Sequence, residues 1–518
     1  MSNDSHSPNA PGAPQNDAAS DTAPAGALPR RDFLKTAGAG AGMLLLGGTT
    51  TPAGRAVPGL HRRENVRSTS PSPDVVVIGA GCWGSWTALN LRKMGANVTV
   101  VDAYGPGNAR STSGDETRGV RSSYGDKTGD LGELWMLWAR EAMKRWTAFD
   151  DEWGRERRLN LFHVTGDLIM RTEWDNFQLR TKVWWDKNKI PYQILNPDDV
   201  RKAFPVMSID DITAVLYEPD AGVVRARRGC QAVASVFEHL GGKIVIGRAQ
   251  PPKPVSGRLQ EVTLDTGQTL RAETFVYAIG PWMAKTFPEL LAKKTRVPIG
   301  YVCYFATPVN DERFTYPNIP SYNFPGVTGW AALPVDNRGF RVRGTEHPPT
   351  PPAAAADSSA GRGGAPGAGG RGGGRGGGRG GFGDTSDVPP QQLDPDTSDR
   401  WADASRVDAM RKFVQHRFPA IGAAPIAQTH SCHYELTSSS NFIVDHHPDI
   451  HNLLIGAGGN AEGFKFGPVI GEYIAQRALG IEGDKKIADR FKIPEHEYET
   501  PTAADSAKTK AGGRGDPP

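Results

Sequence analysis

Cysteine is scarce in this chain of 518 residues. There are four, Cys82, Cys230, Cys303 and Cys432, with no CxxC pair and no regular spacing. That excludes a disulfide-stapled scaffold and a zinc module, and leaves room for one disulfide. Net charge is nearly absent too. A formal +3 over this length means that any strongly basic behaviour is local, so nothing global points to nucleic acid. The apolar content, with Trp, Phe and Tyr well represented, is that of a globular protein of two or three domains with a sizeable core.

A long hydrophobic run is also missing at the N-terminus. The stretch PRRDFLKTAGAGAGMLLLGG pairs Arg30 with Arg31, follows with Phe33, Leu34 and Lys35, and ends in a Gly/Ala/Leu run to Gly48. It resembles a twin-arginine export signal, with Pro29 where Ser or Thr is commoner. The run falls short of the roughly 20 apolar residues of a membrane span, so it reads as an address and no stable membrane insertion is expected. Export by this route implies a protein that folds, and takes up its cofactor, before crossing the membrane to a periplasmic or extracellular destination.

From Pro73 the pattern changes to PDVVVIGAGCWGSWTALNLRKMGANVTVVDA. An apolar strand, a glycine turn, a helix from Trp83 and a second strand at Val98–Val101 make a βαβ unit. Gly79, Gly81 and Gly84 sit where backbone must approach a pyrophosphate at a helix N-terminus. Asp102, about 20 residues on, sits where an acid takes ribose hydroxyls. Leu131, Leu134, Trp135, Trp138, Ala142, Trp146 and Phe149 recur at helical steps and read as a core stripe. RGCQAVASVFEHLGGKIVIG reads as helix, stop and strand, and TLRAETFVYAIGPW as a strand entering a tight turn. Residues 160–215 and 290–345 favour strands and turns, as in FHVTGDLIM and GWAALPVDNRGFRVRG. Residues 348–398, with their Arg-Gly-Gly repeats, cannot bury enough apolar area to offset the entropy of ordering and read as a disordered insertion.

The stretch HSCHYELTSSSNFIVDHHP (430–448) places one thiol between two histidines. A metal ligand, a nucleophile, half of a disulfide and an attachment point are all open for Cys432. A zinc site from His430, Cys432 and His433 fails on spacing, since alternate strand residues face opposite ways, and no metal is expected.

Residues 111–126, STSGDETRGVRSSYGD, resemble the arginine-bearing loop of the glycine/D-amino-acid-oxidase family of FAD-dependent oxidoreductases, in its sarcosine oxidase type. TFVYAIGPW is similar to that family's strand ending in A-G-x-W, and SCHYELTSSSNFIVDHHPDIHNLLIGAGGNAEGFKFGPVIGEYIA to its closing region. The resemblance runs from Asp74 to about Gly480, excluding the insertion. It implies an α/β fold in which a Rossmann-like FAD-binding domain is interleaved with a β-rich substrate domain. On that architecture 1–72 is leader, 73–160, 216–290 and 431–490 form the FAD-binding domain, and 161–215, 291–347 and 399–430 the substrate domain. Residues 491–518 are a tail.

The resemblance also implies roles. Gly79, Gly81, Cys82, Trp83, Gly84, Asp102, Ala103, Ser113, Gly114, Arg118, Gly280, Trp282, Gly458, Gly463 and Phe464 bind FAD. Cys432, in a C-x-Y with Tyr434, carries the flavin through a thioether. Arg121 and Lys465 clamp the substrate carboxylate, with Tyr434 and Glu462 beside them. Arg341, Lys465 and Tyr434 take the catalytic roles.

Three departures stand out. Arg341 occupies the place of the family's flavin-facing lysine and could pair with Glu435 or Glu462. A pocket tyrosine falls at Ala331, and a histidine is replaced by Glu462. A wider, more acidic pocket follows, with sarcosine itself a poor fit. The implied function is oxidation of the C–N bond of an amino acid or N-alkyl amino acid to an imine, with reoxidation by dioxygen. The alternatives are a dehydrogenase that passes electrons to a quinone or carrier protein, and a binding module that uses the Arg/Gly-rich insertion on polyanions or RNA.

Overall fold

The computed structural model describes residues 74–498 except 128, 155–158, 335–337 and 345–391. The paired-arginine leader, most of the Arg/Gly-rich insertion, the start of the DNRG turn and the end of the tail lie outside the described residues.

A run of β-branched residues with no polar interruption suits a strand buried on both faces. β1 (Asp74–Ile78) is that strand: Val75 to Ile78 are all buried. It pairs in parallel with β2 (Asn97–Asp102) on one side and with Thr274–Tyr277 on the other. Lys243–Ile246 extends the sheet beyond β2, Ile450–Ala457 extends it beyond Thr274–Tyr277, and Ile443–His447 closes that edge antiparallel, giving six strands.

Between β1 and β2 runs α1 (Cys82–Lys93), which buries Cys82 and the whole stretch from Gly84 to Leu91. It packs closely on the helix Gly467–Ala478 because small residues stand at the crossing. A Cβ on Gly471 would lie 2.5 Å from Trp86 Cβ and 2.8 Å from the Thr87 nitrogen. The aromatic stripe of the helix Asp130–Phe149 is core, as its spacing suggests. Trp135 stacks on Phe442 at 4.7 Å, Trp146 meets Trp86 edge-on at 5.2 Å, and Trp138 packs against Tyr473 and Phe491.

The β-rich part is an eight-stranded sheet in the order Ile426–His433, Ile299–Phe305, Phe340–Gly344, Val327–Trp330, Ser321–Phe324, Asp167–Arg171, Ala214–Glu218, Gln193–Leu195. The helix Ala404–Arg417 packs Met410, Phe413 and Val414 into its core, where Tyr322 stacks on Phe340 at 5.4 Å. A three-stranded sheet, Thr117–Val120, Gly222–Arg225 and Phe162–Val164, completes the strand framework near the site.

Two expectations need correction. The domain boundaries at 215 and 430 fall inside the strands Ala214–Glu218 and Ile426–His433, which pair within the eight-stranded sheet through Glu218 and His433. The span 160–215 also holds the helices Asn176–Asn188 and Pro197–Ala203. The first escapes periodicity because its buried face includes Gln178, Thr181 and Asn188, so no apolar stripe is visible. The Gln178 amide nitrogen donates there to the carbonyls of Ile169 and Ala214. Among the described residues no helix is long and apolar enough to cross a membrane.

Trp138 lies in this core away from the cavity described below. Trp138→Ala should cost ~3–5 kcal/mol, read as a lowered urea midpoint.

Candidate functional site

A cavity of about 370 Å³ runs between the six-stranded and eight-stranded sheets. One end is built by the β1–α1 turn. Gly79 has φ +105°, and a Cβ there would lie 2.4 Å from the Ala278 carbonyl oxygen. A Cβ on Gly84 would lie 1.9 Å from the Gly79 carbonyl oxygen, so glycine is what lets α1 start this close to the turn. Ser113 caps the helix from 31 residues away, its Oγ accepting the Cys82 N–H at 3.0 Å. The Asp102 carboxylate lines the cavity and accepts three backbone N–H groups, from Ala80 at 2.7 Å and from Tyr104 and Gly105 at 2.8 Å. Burial nevertheless raises its pKa. A cradle closed to any Cβ, a capped helix N-terminus and a buried acid at the end of β2 fit a dinucleotide.

Around this end Gly81, Cys82, Trp83, Ala103, Ser113, Gly280, Trp282, Gly463 and Phe464 all line the cavity. The closing loop is tied to α1 by Trp83 Nε1, which donates to the Gly463 carbonyl at 2.8 Å, and by the Cys82 thiol, which donates to Phe464 O at 3.3 Å. Tyr104, Arg248, Trp282 and Lys285 of the wall converge on Asp396. The Trp282 indole N–H bonds it at 2.9 Å, Lys285 at 2.8 Å, Arg248 at 3.1 Å and the Tyr104 hydroxyl at 3.3 Å. Trp282 therefore spends its donor on the end of the stretch 348–398 expected to be disordered, whose last residues, from Gln392, are bonded into the framework instead. Gly84, Gly114 and Gly458 are not part of the wall and act from behind it, and Cys432 stands at its edge, its sulfur in contact with Arg118 of the lining.

The other end gathers cations. Arg118, Arg121, Arg341, Arg343 and Lys465 line it, together with Tyr434, Glu435, Glu462 and Trp330. Arg118 donates to Cys432 Sγ at 3.4 Å and to the Thr112 carbonyl at 2.9 Å, and burial lowers its pKa to about 10. Arg341 is 1% exposed, lies over the Trp330 ring at 4.0 Å and donates to Asp115 at 3.3 Å. Asp115, fully buried, also takes an ion pair from Arg118 and a hydrogen bond from the Tyr304 hydroxyl at 2.9 Å. The expected partners of Arg341, Glu435 and Glu462, are thus replaced by Asp115, three residues before Arg118 in its own loop. Arg343 reaches the same wall because it follows Arg341 by two on one strand, which puts both side chains on one face.

Lys465 is 4% exposed, donates to the Tyr124 hydroxyl at 2.8 Å and forms an ion pair with Glu462. Burial lowers its pKa to about 8, against the pull of Glu462. Burial works to raise the Glu462 carboxyl, but Lys465 and then Arg121 outweigh it and hold it below the usual range. Glu462 therefore occupies the ammonium that the sequence reading reserved for a substrate carboxylate. Ala331 is a second correction. It is 2% exposed and packs in the β-rich core, while its neighbour Trp330 presents an indole to the cavity, so the pocket is not widened there. The acidic character holds, through Glu435 and Glu462.

Sequence reasoning missed Asp115, Tyr124, Trp330 and Arg343. A rule could have found the first: two arginines assigned to an interior require a buried counter-charge nearby.

The family profile described as DAO, FAD dependent oxidoreductase, matches residues 74–477. The chain is 24% identical over 412 residues to the monomeric sarcosine oxidase of Bacillus sp. (strain B-0618), covering 78% of this chain and 92% of that protein. It is 22% identical over 427 residues to the peroxisomal sarcosine oxidase of Homo sapiens, covering 81% and 95%. The solved fructosamine oxidase (Amadoriase II) of Aspergillus fumigatus superposes with a TM-score of 0.63 at 22% identity, over 82% of this chain and 90% of that one, a likeness of fold.

Glu435 yields a test. Its Oε2 accepts the Gly458 N–H at 3.0 Å, its Oε1 has no hydrogen-bond partner among the described residues, and burial raises its pKa from 4.5 to about 8. The folded state therefore holds a proton that the unfolded chain has lost across that window, and stability falls as pH rises through it. Glu435→Gln has no proton to lose. Urea midpoints from about pH 5 to about pH 9 should show the variant gaining on the native protein and levelling off once the carboxyl has titrated.

Proposed function

The chain belongs to the family of FAD dependent oxidoreductases, and on that premise we propose that it is an exported enzyme which oxidises the C–N bond of an amino acid or N-alkyl amino acid to an imine, with dioxygen as the final acceptor. The observation that carries this reading is one cavity with a dinucleotide cradle at one end and Arg121, Tyr434 and the Lys465–Glu462 pair at the other. Export rests on the paired arginines of the leader.

The substrate's carboxylate meets Arg121, which is 8% exposed on the cavity wall. A charge-assisted bond there fixes the molecule by one end and orients its C–N bond within the cavity whose residues would hold FAD. Because Glu462 competes for Lys465, a substrate that also offers Glu462 a hydrogen-bond donor gains a contact that a minimal amino acid lacks. This favours a substrate larger than sarcosine. The amine, bound neutral, loses a hydride equivalent from carbon and a proton from nitrogen, and water then hydrolyses the released imine to an oxo acid or aldehyde. FAD, when bound, supplies the two-electron acceptor for this oxidation and hands the electrons to dioxygen as hydrogen peroxide.

One observation favours a second reading. Arg341, in place of a compact ammonium, is already neutralised by Asp115 and stacked on Trp330, which weakens the positive field offered to developing superoxide. A dehydrogenase that delivers electrons to a quinone or carrier protein follows from that. The peroxide yield decides: one peroxide per substrate oxidised identifies the oxidase, and a yield near zero that an added electron acceptor overcomes identifies the dehydrogenase.

Cys432 is proposed as the covalent anchor, supported by its contact with Arg118 of the cavity wall, whose guanidinium lies 3.4 Å from the sulfur. Yellow colour should stay with acid-precipitated native polypeptide and be released from Cys432→Ser; release from the native protein would exclude the thioether. For the carboxylate contact, Arg121→Met should lower kcat/KM roughly 10- to 150-fold on an amino-acid substrate and far less on the matching decarboxylated amine. Equal losses would remove the role.

A further inference from the structure

Behind the substrate end lies a second, small chamber of about 10 Å³. Gly119, Arg121 and Trp330 line both spaces, so the chamber sits directly behind the cavity wall, and Asp167, Ser321 and Thr328 close it from the β-rich sheet. Its volume is the space one water needs. Two of its side chains are more than nine-tenths buried and each carries an oxygen without a hydrogen-bond partner: Asp167 Oδ2 and Thr328 Oγ1. Ser321 has spent its hydroxyl on Thr165 at 2.7 Å, and the Trp330 indole N–H is spent on Thr117 at 3.0 Å. Arg171, the other arginine near Asp167, is committed to Asp175 at 2.7 Å and to the Asn323 carbonyl at 2.9 Å. Burial lifts the Asp167 carboxyl to about 6, and Arg121 is the first charge that pulls it back.

Two orphaned oxygens on side chains that line a chamber of this size cost more dry than the immobilisation of one water. A water has the complementary valence, with hydrogens for Asp167 Oδ2 and Thr328 Oγ1 and a lone pair for a guanidinium N–H. Backbone leaves room for this arrangement, because a Cβ on Gly119 would lie 3.4 Å from Arg121 Nη1 and 3.1 Å from the Trp330 ring.

We infer that the chamber holds one ordered water that joins Arg121 to Asp167 and Thr328, making those two the positioning residues for the guanidinium that receives the substrate's carboxylate. This rests on the role given to Arg121 under the proposed function. Asp167 then acts on Arg121 as a counter-charge through the water.

The test compares an N-methyl amino acid with the corresponding decarboxylated N-methyl amine on the FAD-loaded enzyme, together with a high-resolution crystal structure. Thr328→Val, of equal size but without the hydroxyl, should raise KM for the amino acid about tenfold with kcat nearly unchanged, and leave the amine's KM as in the native enzyme. Thr328→Ser should restore the native value. Asp167→Asn should act in the same direction. Since it could also fail to fold, the threonine pair carries the decision. An empty chamber in the crystal structure, or equal KM changes for both substrates, overturns the inference. If Arg121→Met does not separate the two substrates, it is the functional reading that falls. If it does and Thr328→Val does not, the water tether alone falls.

Discussion

Everything at the substrate end depends on one buried carboxylate. Asp115 sits in the loop that follows the dinucleotide cradle, yet it accepts from Arg118 of its own segment, from Tyr304 on one strand of the large sheet and from Arg341 on the next. The two halves of the molecule are thereby held in register by charge as well as by apolar contact. Removing one partner of such a cluster leaves a buried charge uncompensated, which costs far more than forming the cluster contributes. Its value is therefore in specifying one geometry, and the Arg341 stack on Trp330 and the Arg118 contact to Cys432 are both set by it.

The same economy of charge explains why the wall can hold five cations without flying apart. Arg118 and Arg341 share Asp115, Lys465 has Glu462, and Asp167 lies within electrostatic reach of Arg121. Four of the five thus meet the cavity partly neutralised. A ligand there senses oriented donors more than a bulk positive field, and orientation is what a reaction at a single C–N bond needs.

What could be read in advance follows from how local the signal is. The glycines at 79, 81 and 84 answer to backbone geometry inside one turn, and the Trp135–Trp146 stripe to a single helix, so both were legible. The helix Asn176–Asn188 was not, because its buried face is partly polar: the Gln178 amide donates to the carbonyls of Ile169 and Ala214 and Thr181 Oγ1 accepts from the Gly125 N–H, contacts that no helical period announces. The strand from Val327 shows the finest failure. A shift of one residue exchanges the faces of a strand, so the position matched to a pocket tyrosine, Ala331, packs in the core while Trp330 faces the cavity. Asp115 was half legible: Arg118 stands three residues on and calls for a counter-charge nearby, but Tyr304 and Arg341 lie 189 and 226 residues away and only the folded sheet brings them to it.

The knot at Asp396 has a bearing on how such a chain can change over time. The last strand before the Arg-Gly-Gly repeats ends at Gly344, and after them Gln392 bridges to Val297 while Asp394 and Asp396 clasp Lys285, Arg248 and Trp282. The described residues on either side of the repeats are thus held by bonds to the rest of the framework. The entropy of closing a loop grows only logarithmically with its length, about 0.6 kcal/mol per doubling. Repeats can therefore be gained, lost or replaced between these two moorings at little cost to the catalytic framework, and the stretch forms a replaceable cassette on an otherwise constrained scaffold.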